Sequence, residues 1–116
     1  MDARRTLGRT GEELAAELFA KLGFAILDRN WRCRSGELDL VVGRGDLLVF
    51  CEVKTRTSDY WGGPAEAVGL QKQARLRRLA AAWMSERRPG DVRVRFDVIS
   101  VLMRREPEIT HLPDAF

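Results

Sequence analysis

Asp39, Glu52 and Lys54 are the residues of this 116-residue chain whose types and spacing suit a chemical task. They lie within Gly36–Arg56, GELDLVVGRGDLLVFCEVKTR, where two apolar runs flank a Gly-Arg-Gly-Asp turn and acids interrupt both runs. Glycines in such a turn supply the positive φ that a tight hairpin needs. With the turn centred between Arg44 and Gly45, Val42 faces Leu47, Asp39 faces Phe50 and Glu37 faces Glu52. Side chains alternate along a strand, so Glu37, Asp39, Glu52 and Lys54 fall on one face. Asp39 and Glu52 become diagonal neighbours roughly 7–8 Å apart at the backbone, a span that two carboxylates bridge around a shared cation. Oxygen donors without His or Cys suit a hard ion, Mg²⁺ or Mn²⁺.

An acid and a lysine two residues apart on a strand are commonly a solvated face. Three features favour a site here. The run LLVFCEV is apolar on both parities, as in a buried central strand. The partner strand carries its own acids, Asp39 and the reserve carboxylate Glu37. A further acid, Glu12, lies upstream on a helix spanning Leu7–Leu22, whose apolar stripe is Leu14, Ala15, Leu18, Phe19 and Leu22. At 100° per residue, Glu13 and Glu17 point away from that stripe and Glu12 stands at its edge, able to reach inward. Thr10 with Glu13 reads as a capping box, and Gly11 allows close packing.

Asp39 followed by Glu52-Val53-Lys54 resembles the D…(D/E)-x-K signature of the PD-(D/E)XK nuclease superfamily. The ordered blocks GEELAAELFAKLGFAILDRNWR, GELDLV, LLVFCEVKTR and RFDVISV resemble the YraN-like family of small bacterial proteins, related to archaeal Holliday-junction resolvases. The likeness runs from about Leu7 to Met103; Leu38 stands where the superfamily's name has Pro. The resemblance also falls on Glu12, in the pair Gly11-Glu12. It implies a restriction-endonuclease-like fold and a DNA substrate, with a branched preference resting on the resemblance alone.

Composition sets the frame. The length suits one domain, residues 1–116, with a single core. No apolar run reaches 18 residues and no leader pattern opens the chain, so a cytoplasmic protein without membrane spans is expected. Cys33 and Cys51 have no metal-site spacing and read as reduced thiols, Cys51 in the core. Net charge is +3 and the pI about 9.3, which permits nucleic-acid binding, and the arginines cluster in ways that suit phosphate contacts.

Along the chain, Gly23 ends the first helix and Phe24–Leu27 reads as a strand. Asp28–Ser35 is polar; Trp31 is set among Arg29, Arg32 and Arg34, an interleaving that suits phosphate contact and base stacking, while Trp31 itself reads better as a core anchor. Arg56 closes the second hairpin strand. Thr57–Gly69 is a loop in which Tyr60 and Trp61 are candidates either for base stacking or for a core lid. Leu70–Arg87 is a second helix with the apolar stripe Leu76, Leu79, Ala80 and Trp83; Lys72 at its start reaches toward an anion near the hairpin acids. Val92–Met103 forms another strand and Ile109–Leu112 an edge strand, and the last residues read as loose. His111 sits there, a poor catalytic candidate. The series αβββαβ suits a mixed central sheet flanked by helices, an α/β fold.

A lone peripheral histidine leaves little room for a nucleophilic triad or zinc chemistry. Acids, one lysine and a basic surround suit metal-assisted phosphodiester hydrolysis: Asp39 and Glu52 as Mg²⁺ ligands with the Val53 carbonyl and Glu12 completing the set, and Lys54 on the attacking water or the scissile phosphate. Cutting two strands with so small a chain calls for a homodimer. The competing expectation is a nuclease-fold module that binds DNA or a protein partner without catalysis; a docking protein whose acids are merely solvated is a third.

Overall fold

The computed structural model describes residues 3–57 and 68–116, with the backbone alone for residues 3–9. Helix α1 (Ala3–Lys21) leads into strands β1 (Ala25–Cys33), β2 (Gly36–Arg44) and β3 (Leu47–Arg56); helix α2 (Leu70–Arg87) then crosses over to β4 (Arg93–Leu102), and β5 (Glu108–Leu112) closes the series. The sheet order is β1-β2-β3-β4-β5. All neighbours are antiparallel except β3 and β4, which run parallel. This is the mixed sheet of an αβββαβ core with an added edge strand. Among the described residues, no helix is long and apolar enough to cross a membrane.

Each helix covers one face. Ala15, Ala16 and Phe19 of α1 pack on Leu40, Val42, Val49, Cys51, Ile99 and Val101. Leu76, Leu79, Ala80 and Trp83 of α2 pack on Leu38, Val41, Leu48, Phe50 and Phe96. The α2 stripe is the one the periodicity predicts, whereas Leu22 lies beyond the end of α1 and is 42% exposed. Gly11 is buried against β3, and a Cβ there would stand 1.9 Å from Thr55 Oγ1. No other residue type lets α1 approach so closely.

Four expectations are corrected. Helix α1 begins at Ala3, so Thr10 is an interior residue and does not form an N-terminal capping box. Strand β1 runs on through Asp28–Cys33, well past the Phe24–Leu27 stretch that reads as a strand. Polar residues are tolerated there because β1 is an edge strand, with Trp31 and Cys33 packed inward and Arg29 and Arg32 exposed. The hairpin register is two residues tighter than expected: Arg44 pairs with Leu47 and Val42 with Val49. Gly45, at φ 59°, takes the left-handed conformation that lets a two-residue loop close. Finally, the C-terminus is held, not loose. The Ala115 N–H donates to Phe96 O at 2.7 Å, and Phe116 stacks on Phe96. Buried Asp97 gathers both Arg95 nitrogens (2.8 and 2.9 Å), His111 Nε2 (2.7 Å) and the Asp114 N–H (3.0 Å). His111 is thus a fastener for β5.

Candidate active site

The site forms where β2 leaves β3. Their ladder runs from Arg44–Leu47 to Leu40–Cys51 and ends there, while β2 stays paired with β1 as far as Gly36. Leu38 belongs to the α2-side cluster and Leu40 to the α1-side cluster. Side-chain alternation therefore breaks between Leu38 and Leu40: Glu37 is drawn to Arg32, while Asp39 stays within reach of Glu52 and Lys54. Asn30, at φ 50°, falls at the matching step of β1, between the pairs Arg29–Leu40 and Trp31–Leu38. Asp39 instead turns into the seam between the strands. Its Oδ2 accepts the Val53 backbone N–H at 2.9 Å, taking the place of a carbonyl from the departed strand.

From that seam Asp39 meets groups arriving from both sides of the sheet. Val49 and Cys51 face α1, so Glu52 and Lys54, of the other parity, face α2. Glu12 comes from α1 and is half-buried, while Glu13 and Glu17 are exposed, as the helical wheel predicts. Burial and the charge of Glu52 push Asp39 up to about 8; the Val53 N–H opposes this, and the charge of Glu12 and a hydrogen bond with Glu52 add to it. A carboxyl so placed holds a proton at neutral pH unless a cation takes its place.

Glu52 is 9% exposed and ion-paired with Lys72 Nζ from the first turn of α2, so that lysine meets one of the hairpin acids itself. Lys54 is half-buried beside it. Burial lowers its pKa first, then the charge of Lys72 and a hydrogen bond with it; Glu52 and Asp39 act in the opposite sense. The centre thus alternates sign: two mutually repelling acids in the seam, two lysines at its α2 side, and Glu12 at its α1 side. A cleft of about 280 Å³ opens here, lined by Glu12, Glu13, Arg29, Asn30, Asp39 and Leu40.

Among the described residues, no three His, Cys, Asp or Glu side chains form a ready cage for a metal ion. The donor set still fits Mg²⁺, which keeps several waters and takes one or two carboxylates together with substrate phosphate. Asp39 and Glu52 would be those carboxylates, with the Val53 carbonyl and Glu12, directly or through water, as further donors.

Other expected site residues lie elsewhere. Glu37 is engaged by Arg32, Oε2 to Nε 3.3 Å. Arg34 is exposed at the β1–β2 turn. Arg56 is half-buried and donates from Nη2 to Ser100 Oγ at 3.4 Å. Tyr60 and Trp61 lie outside the described residues. The Asp97 cluster escapes a reading of the sequence, although a lone acid inside the apolar run RFDVISV was its signal.

Comparison with known proteins places this arrangement among relatives. The family model described as "Uncharacterised protein family UPF0102" matches residues 11–101. A UPF0102 protein of Frankia casuarinae is 57% identical over 101 residues, 87% of this chain and 86% of its own. One of Frankia alni is 54% identical over 120 residues, covering 100% and 98%. One of Streptomyces griseus is 53% identical over 108 residues, covering 90% and 89%.

Proposed function

The chain belongs to the UPF0102 family of the restriction-endonuclease-like superfamily, and from that premise we propose that it is a Mg²⁺-dependent endonuclease hydrolysing phosphodiester bonds in DNA. One observation carries the reading: Asp39 and Glu52 meet in the β2–β3 seam, where burial and the charge of Glu52 raise Asp39 to about 8, with Lys54 beside them. Clustered negative charge of this kind repels a phosphate backbone, so it serves a pure binder poorly and a metal-using hydrolase well.

Asp39 and Glu52 would hold the ion, which supplies an activated water and offsets charge on the phosphoryl oxygens. The Val53 N–H fixes Asp39 Oδ2, and a cation would take the place of the proton that Asp39 shares with Glu52. Lys54, on the same strand as Glu52 and two residues along, donates to the scissile phosphate or to the attacking water. Its lowered pKa eases transfer of a proton to and from that water. Glu12 adds a carboxylate from the opposite side of the sheet, and its charge raises the affinity of the seam for any cation. Branched DNA and a homodimer extend the reading, the first resting on the family resemblance and the second on the two sites that cutting both strands would need.

One observation favours a second reading. Lys72 already neutralises Glu52, as would suit a DNA-binding module without catalysis. The two separate in a cleavage screen with Mg²⁺ over single-stranded, duplex, flap and four-way-junction DNA. The endonuclease cuts at least one of these, and Lys54→Ala abolishes cutting while leaving binding in place. Binding without cutting under every condition overturns the enzymatic reading in favour of the module.

A further inference from the structure

Most arginines of the described surface are occupied within the chain. Arg32, Arg87, Arg93, Arg95 and Arg104 are each paired with an acid, and Arg77 lies over the Phe96 ring. The side chains of Arg29, Arg34, Arg75, Arg78, Arg88 and Arg105 have no described acid as partner, and of these only Arg75 and Arg78, both exposed, stand within α2. They line a cleft of about 640 Å³ together with Lys72, Gln71, Gly69 and Ala74. Lys72 belongs both to this cleft and to the acid centre, through its contact with Glu52. Lys72 is thus where the cleft borders the acid centre.

We infer that this face of α2 is the track along which one strand of the DNA backbone reaches the acid centre. The inference rests on the endonuclease reading and adds to it the residues that hold the substrate. Positions 72, 75 and 78 climb the helix by ~4.5 Å per step, ~9 Å in all. A nucleic-acid strand carries a charge about every 3.4 Å of axis, so three cations over that rise meet two or three successive phosphates. Guanidinium groups held to no internal acid offer their full fork to phosphate oxygens. Arg32, already on Glu37, and Arg56, turned toward Ser100, are poorer candidates than the sequence suggests.

The test is the salt dependence of binding, read by fluorescence anisotropy on labelled single-stranded and duplex DNA in EDTA, where no cutting occurs. Wild type is compared with Arg75→Ala, Arg78→Ala and their double variant between 50 and 200 mM salt. Arg93→Ala, beside the hairpin turn at the far end of β4, controls for net charge. Each α2 substitution should lower the slope of log affinity against log salt by about 0.7–0.9, and the double variant should lose about ten-fold in affinity. The control should leave the slope unchanged. An unaltered slope in the double variant, or an equal change in Arg93→Ala, overturns the track alone. A wild type that binds no DNA in this range overturns both the track and the reading beneath it.

Discussion

The Val53 backbone N–H donates to Asp39 Oδ2 at 2.9 Å, across the point where β2 and β3 part. One side chain thereby ends a strand ladder and anchors an acid centre. The bond favours the ionised carboxyl, yet burial and the neighbouring acids outweigh it and lift Asp39 to about 8. The site thus holds its acids in a state that a proton or a cation must relieve.

Stability against pH tests that balance. An acid whose pKa rises on folding stabilises the fold while it is protonated. For Asp39 the contribution is complete below the ordinary value of 3.8 and is lost as pH climbs toward about 8. Asn keeps an oxygen for the Val53 N–H and never ionises. Metal-free Asp39→Asn should therefore melt above wild type at pH 8, by about 5 °C or more, a shift worth roughly 1 kcal/mol or more in a domain of this size. The gap should narrow toward pH 5. Melting curves that run parallel from pH 5 to 8 would show that Asp39 titrates normally.

Lys72 and a metal ion compete for Glu52. Lys72→Met leaves the buried Glu52 without its partner, which should lower metal-free stability by about 3 kcal/mol. The same change should tighten Mn²⁺ binding by about three- to ten-fold, as an opposing charge leaves the seam. Denaturant unfolding and calorimetric titration measure the two effects. Weaker Mn²⁺ binding in the variant would mean that Lys72 supports the ion instead of standing in its place.

Gly11 fixes how closely α1, and with it Glu12, approaches β3. Ala in a helix interior is ordinarily favoured over Gly by about 1 kcal/mol. Here its Cβ meets Thr55 Oγ1 at 1.9 Å, so Gly11→Ala should instead cost about 1–3 kcal/mol. Adding Thr55→Ala should restore most of the loss, a coupling that a double-mutant cycle in urea reads directly. Additive losses would mean that the contact does not limit the packing.

Much of this was legible in the sequence because the signals were local. The Leu76, Leu79, Ala80 and Trp83 stripe set α2 and its buried face, and the both-faces-apolar run around Glu52 marked a central strand. Glu12 was separable from Glu13 and Glu17 by helical geometry alone. What failed was long-range. Alternation breaks beside Asp39, and strict period-two counting kept Glu37 with the other acids although Arg32 engages it elsewhere. The polar stretch Asp28–Cys33 hid an edge strand, since an edge tolerates residues that a central strand rejects. The C-terminus looked loose because Asp97, which ties it down, stands 14 and 17 residues before His111 and Asp114.

Whether the seam acids hold a divalent cation is tested most directly by calorimetric titration of Mn²⁺ into metal-free protein at pH 8. Wild type should bind one ion per active centre, and Asp39→Asn should lose that binding by at least about a hundred-fold while staying folded. Equal binding by the two proteins, or none by wild type, would contradict the account.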